Sequence, residues 1–151
     1  MENIIENIIK REVKDSLTNH IKTVLFNRAD YFKGSYYNNE FIIWKYSVWA
    51  GAFYPVIIGK VIKDKETPKV QVLTKMNSLG RLIQWTIMIG LSYALINNHI
   101  ISFSLDPAHL LSSLGGLILI LLFMMPMRMA YWYARKDAIN ELKKLINKNA
   151  C

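Results

Sequence analysis

The chain lacks most of what marks a catalyst. Its single cysteine, Cys151, cannot form an internal bridge, so no disulfide framework exists. A CaaX lipidation signal needs residues after the cysteine, so Cys151 reads as incidental. No nucleophile elbow, phosphate loop, zinc signature or dinucleotide motif occurs, and Gly34, Gly51 and Gly59 stand isolated in strand or turn contexts. Acidic residues are scarce, 11 against 19 Lys and Arg, leaving a net charge of +8. The N-terminal stretch MENIIENIIKREVKD is studded with charge and has no apolar h-region, so no cleavable signal peptide is expected.

The same absences, mapped along the chain, outline a membrane protein. Residues 82–96 and 108–127 contain no charged side chain, and the core at 114–125 holds only Gly, Leu, Ile, Phe and Met. Residues 1–81 carry +5, residues 82–127 carry −1 from Asp106 alone, and residues 128–151 carry +4. Basic segments that flank apolar spans point to a membrane surface rather than to nucleic acid.

Residues 3–18 repeat Ile4, Ile5, Ile8, Ile9, Val13 and Leu17 at helical spacing, and the pattern continues through Ile21, Val24 and Leu25. This predicts an N-terminal amphipathic helix. Residues 31–75 turn to aromatic and β-branched types. Asn38-Asn39 predicts a tight hairpin turn, because Asn tolerates positive φ. An antiparallel meander of four strands follows from these signals, at about 31–37, 40–49, 55–63 and 68–75, with a polar connection at 64–68. The fold class is therefore an α+β membrane protein: helix, four-stranded antiparallel sheet, two-helix transmembrane hairpin and C-terminal amphipathic helix. The corresponding divisions are 1–78, 79–127 and 128–151, with spans at about 82–101 and 108–127.

Asp106-Pro107 suits a helix start, Asp at the cap and Pro at the first helical position. Pro126 is placed to kink the second span as it leaves the bilayer. In the last segment, Ala134, Ala138, Ile139, Leu142, Leu145 and Ile146 line one face, opposite Arg135, Lys136, Lys143 and Lys144. The connection at 97–107 contains no Lys or Arg while both flanks are rich in them, so both termini are expected on the cytoplasmic side. Trp85 and Trp132 fit the cytoplasmic interface. Gly90 with Ala94, and Ser112 with Gly116, form small-xxx-small pairs suited to helix–helix packing.

The alternatives are a soluble protein with a very apolar helical pair, or a single span with 82–96 lying peripherally. The first leaves 114–125 without a polar stripe for water. The second draws on the weaker hydropathy of the first segment.

No catalytic residues are assigned. His99, Asp106 and His109 cluster near the outer connection, but their spacing matches no metal-ligand pattern, and neither metal nor cofactor is expected. Ser104, Asp106 and His109 have the residue types of a triad without its geometry. The aromatic cluster is the richest soluble feature. From it Trp44, Tyr46, Trp49, Phe53 and Tyr54 are the candidate ligand- or partner-binding residues. The competing reading is that a small sheet uses large rings to build its core.

The segments Phe32-Lys33-Gly34, Phe41-Ile42-Ile43-Trp44-Lys45-Tyr46, Phe53-Tyr54-Pro55-Val56 and Gly59-Lys60 resemble a pattern in small uncharacterised bacterial membrane proteins. Those proteins place a short β-rich segment before two predicted spans. They often have an Asn-Ser pair where this chain has Gly51-Ala52. The resemblance covers about residues 30–100 and implies a bacterial inner (cytoplasmic) membrane protein, with no activity to transfer.

Two functions are consistent with these features. One is a non-enzymatic membrane protein whose cytosolic module binds a protein or small-ligand partner at the bilayer surface. The other is a membrane-perturbing effector, a toxin or defence protein, acting as a homo-oligomer of its spans. Nucleic acid is not an expected partner.

Overall fold

The computed structural model describes residues 2–26, 30–62, 69–101 and 107–150. The connection at 64–68, Ser104 and the Asp106 cap lie outside the described residues, as do the side chains of His99, His109 and Ser112.

The first helix is not continuous. α1 (Glu2–Ile8) ends, a two-residue strand β1 (Arg11–Glu12) follows, and α2 (Leu17–Leu25) begins after it. The break has a tertiary cause. The Lys10 amide donates to Phe32 O at 3.2 Å and the Val13 amide to Gly34 O at 2.8 Å, so the neighbouring strand takes amides that a helix would have used. Ser16 then restarts the helix: its backbone is extended and its hydroxyl accepts from the Asn19 amide at 3.3 Å.

The sheet has five strands in the order β1-β2-β3-β4-β5, with β2 (Lys33–Tyr37), β3 (Glu40–Trp44), β4 (Pro55–Ile62) and β5 (Lys69–Met76). β1 pairs parallel to β2 and the remaining pairs are antiparallel. The expected meander of four strands is thus corrected to a mixed sheet of five. The Asn38-Asn39 turn is present, with φ of 50° and 63° at the two positions. The strand expected at 40–49 stops at Trp44. Residues 48–50 turn and Gly51–Phe53 form a 3₁₀ helix, entered through Gly51 at φ 54°.

One face of the sheet packs Phe41, Ile43, Ile57 and Val61 against Ile5 and Ile8 of α1 and against Ala138 and Leu142 near the C-terminus. Each such large apolar side chain contributes about 1.5–3 kcal/mol on burial. Phe41 lies over Gly59, where a Cβ would collide with the ring. The opposite face carries Trp44 and Val56 beneath α2 at the end of the sheet next to residue 77.

Two long helices complete the chain, α3 (Ser78–Ile101) and α4 (Pro107–Ala150). Asn77 caps α3: its Oδ1 accepts from the Gly80 amide at 2.9 Å. The 24 residues of α3 span about 36 Å at about 1.5 Å each, against a hydrocarbon core of about 30 Å. α4 joins the expected second span and the expected C-terminal amphipathic helix into one helix of 44 residues that runs through Pro126. Ala130, Ala134, Ala138 and Leu142 recur every fourth position on α4 and contact the two cores, so small side chains let the helix approach the module closely.

α3 and α4 pack antiparallel. A Cβ at Gly116 would collide with Leu95, and Gln84 Nε2 reaches Met124 Sδ at 4.0 Å. Both helices are long and apolar enough to cross a membrane, and almost none of either apolar window is buried within the chain. Leu82, Trp85, Ile89, Tyr93 and Ile96 are exposed on α3, and Leu117, Leu121 and Met125 on α4.

Candidate functional site

At the end of the sheet next to the hairpin, a buried polar chain crosses from α2 to the 3₁₀ segment. His20 projects from α2 onto the Trp44 ring, 4.9 Å between centroids. Its Nδ1 meets the Tyr54 hydroxyl at 2.7 Å and its Nε2 meets Asp15 Oδ1 at 2.7 Å. The other Asp15 oxygen takes Lys75 Nζ at 2.9 Å, and Thr23 donates to Tyr54. His20 and Tyr54 are both 0 % exposed.

The electrostatics give the chain a direction. Burial disfavours the imidazolium and outweighs the pull of Asp15, so His20 sits below its ordinary pKa and is neutral. Burial raises the Tyr54 phenol well above its usual range, so it stays protonated. Burial also pushes the Asp15 carboxyl up, but the bonds from His20 and Lys75 prevail and hold it below the ordinary carboxylate value. Donation therefore runs from Thr23 to Tyr54, from Tyr54 to His20 Nδ1, and from His20 Nε2–H to Asp15. The polar side chains of Asp15, His20 and Tyr54 are thus bonded to one another, and the arrangement orients and locks them.

Asn77 ties this chain to the hairpin. It is 0 % exposed, and its amide donates to Ala52 O at 2.7 Å and Tyr54 O at 2.8 Å while its carbonyl caps α3. On the other side of the module Lys45, just past β3, bonds both Glu141 oxygens of α4 at 2.9 and 2.7 Å and pairs with Asp30 at 2.7 Å. Burial alone would lower the Lys45 pKa, but the two carboxylates hold it above its usual value.

The aromatic candidates divide. Trp44 and Tyr54 lie in the core, and the Trp44 indole N–H is buried with no acceptor among the described residues. Phe53 is half-buried in the 3₁₀ turn. Tyr46 and Trp49 line a groove of about 210 Å³ with Asp30, Lys45 and Ala134, and Trp49 is 93 % exposed. Tyr46 also meets the Tyr54 ring edge-on at 6.0 Å, which connects the groove to the buried chain.

Of the small-residue positions, Gly116 faces Leu95 across the hairpin, whereas Gly90 and Ala94 are exposed with open space around Gly90. Among the described residues no three His, Cys, Asp or Glu side chains converge as metal ligands would.

Sequence reasoning missed Asp15, His20, Lys75 and Asn77. Leu17, Ile21 and Leu25 suggested the buried stripe of α2, yet all three are exposed and His20 and Thr23 are buried instead. The available signal was the spacing of Val13, His20 and Val24, a helix-compatible stripe that a polar histidine concealed. No family model, no curated protein and no solved structure matches the chain.

Proposed function

We propose that this chain is a two-span protein of the bacterial inner membrane, with both termini in the cytoplasm. Its α+β module binds a protein or small-ligand partner at the bilayer surface and catalyses no reaction. The observation that carries this reading is α4, one unbroken helix whose first half exposes Leu117, Leu121 and Met125 and whose second half buries Ala138 and Leu142 in the module. Apolar faces left outside the chain's own core suit lipid. A shared rigid helix holds the module against the membrane.

Orientation is supported by charge. Arg81 and Arg128 stand at matching ends of the antiparallel pair, and the connection between the spans has no basic residue. Partner binding is supported by the groove at Tyr46 and Trp49, where a large exposed aromatic lies beside α4. The non-enzymatic reading is supported by the sealed His20–Tyr54 chain, whose polar atoms are committed to one another.

Topology is tested in a Cys151→Ser background. An impermeant maleimide added to spheroplasts should label Ser104→Cys at once and Asn147→Cys only after permeabilisation. The reverse pattern rejects the orientation, and extraction of the chain by alkaline carbonate rejects the spans. A photo-crosslinker at Trp49 should capture a specific partner in cells. Its failure to do so, together with wild-type behaviour of Trp49→Ala, removes the groove from the proposal.

A second reading, a membrane-perturbing effector, is favoured by the outward Gly90 and Ala94. Membrane potential followed during induced expression separates the two, because only the effector depolarises the cell.

A further inference from the structure

α2 is inside out for a helix of a water-soluble domain. The side it turns to the module is polar, with His20 and Thr23 as its buried residues. The side it turns outward is apolar. Leu17, Ile21 and Leu25 recur at every fourth position and are all exposed, and Phe26, at the C-terminal cap, is 83 % exposed. The inversion has a cause inside the module, where Asp15 and Tyr54 hold His20. The apolar row is left outside both cores of the chain.

The position of α2 identifies what covers that row. The helix packs against α3 and against the 3₁₀ segment. That segment sits on the first turn of α3: Ala52 O accepts from Asn77 Nδ2 at 2.7 Å, and a Cβ at Gly80 would meet the same oxygen. Arg81 is near enough to α2 to act on His20. α2 therefore stands at the level of residues 77–81, and Leu82 and Trp85, which follow at once on α3, are exposed as well. Charge agrees with this position. From Ser16 to Phe26 there is no acidic residue, and Lys22 is the single fixed charge. Lys22 lies on the exposed side, where its stem can follow the apolar row while its ammonium meets anionic headgroups.

We propose that α2 lies in the bilayer interface, with Leu17, Ile21, Leu25 and Phe26 at the acyl boundary and Lys22 among the headgroup phosphates. It is a third membrane contact beside the two spans, and the proposal rests on the two-span reading above. An apolar row on a cationic helix is the pattern of interfacial helices. Because α2 is already held against α3, insertion is intramolecular, and a helix of nine residues need not bind lipid on its own. The buried chain from His20 to Tyr54 and Asn77 then connects a lipid contact to the start of the first span.

The full chain is placed in nanodiscs of phosphatidylcholine and phosphatidylglycerol, one chain to each disc, with single nitroxide labels in a Cys151→Ser background. Labels at Leu25→Cys and Phe26→Cys are compared with Ile89→Cys, midway along α3, and with Tyr37→Cys, exposed at the end of the β2–β3 hairpin remote from Trp44. Collision with oxygen, which concentrates in the bilayer, is measured against collision with a water-soluble nickel chelate. The oxygen-to-nickel ratio of both α2 labels is expected well above that at Tyr37→Cys and below that at Ile89→Cys. Ratios equal to that at Tyr37→Cys, with Ile89→Cys rich in oxygen, overturn the interfacial helix and leave the spans standing. An aqueous reading at Ile89→Cys rejects the two-span reading and the proposal with it. Labels on α2 shielded from both reagents place protein on the row, a second copy if the shielding appears only with several chains to a disc, and overturn the proposal. Near-UV circular dichroism of each labelled variant confirms that the module is intact.

Discussion

The Tyr54 hydroxyl lies 2.7 Å from Nδ1 of His20, and neither residue is exposed to solvent. The pair joins α2 to the turn that receives the hairpin, because the Tyr54 carbonyl is also bound by Asn77. Tyr54→Phe keeps the ring and strands both Nδ1 and the Thr23 hydroxyl. We expect a loss of about 2 kcal/mol, the cost of unsatisfied buried polar atoms, read from thermal unfolding of the full chain in neutral detergent. An unchanged midpoint would show that the buried chain contributes no net stability.

Acid should loosen the same region in two steps. His20 has its folded pKa below the ordinary value of 6.5, so the unfolded chain takes up the proton first as pH falls. The stability it contributes is whole above 6.5 and declines below it. Asp15 is likewise depressed from 3.8, and its contribution is whole above that value and lost as pH falls through the folded pKa. Unfolding midpoints measured against pH should fall through both windows. His20→Gln should abolish the first decline and leave the second, and a first decline that persists in this variant places its origin elsewhere.

Asn77 acts as donor and acceptor at once, so its two isosteric roles can be separated. Asn77→Asp retains an acceptor for the Gly80 amide but turns an oxygen toward the Ala52 and Tyr54 carbonyls. Asn77→Ala should cost about 2–3 kcal/mol through the lost cap and unsatisfied carbonyls, and Asn77→Asp at least as much. A well-tolerated Asp would mean that capping alone matters.

Within the hairpin, Gly116→Leu must displace Leu95, whereas Gly90→Leu enters open space. Overpacking of this kind costs about 1–3 kcal/mol. Short-reach crosslinking between Gln84→Cys and Met124→Cys in a Cys151→Ser background should fall with Gly116→Leu and hold with Gly90→Leu. Equal yields in the two variants would contradict the packing described.

The Lys45 ammonium pairs with Glu141, which is partly shielded, and with Asp30, whose side chain is 90 % exposed. Double-mutant cycles should give a coupling of about 1 kcal/mol for the Glu141 pair and close to zero for the Asp30 pair, because solvent screens the second. A larger coupling to Asp30 would reverse this ordering.

The sequence by itself determined what depends on local chemistry and on runs of one character. Charge-free stretches yield α3 and the first half of α4, because apolar length needs no partner to be recognised. Asn38-Asn39 specifies its turn, because positive φ is a property of the residues that adopt it. The starts of β3 and β4 and the bounds of β5 to within a residue were also legible, from alternation and from the turns between them. Tertiary structure decided the rest. The helical periodicity of residues 3–25 gave way because the carbonyls of Phe32, just before β2, and Gly34, within it, claimed the Lys10 and Val13 amides. β3 ended at Trp44 because Lys45 turns to the Glu141 carboxylate on α4, 96 residues away. The buried side of α2 went to His20 and Thr23 over Leu17, Ile21 and Leu25, since Tyr54, Asp15 and Lys75 together satisfy what burial of a histidine demands. Hydrophobic pattern records what a segment gains alone, whereas hydrogen-bond and charge partners distant in sequence exist only once the chain has folded.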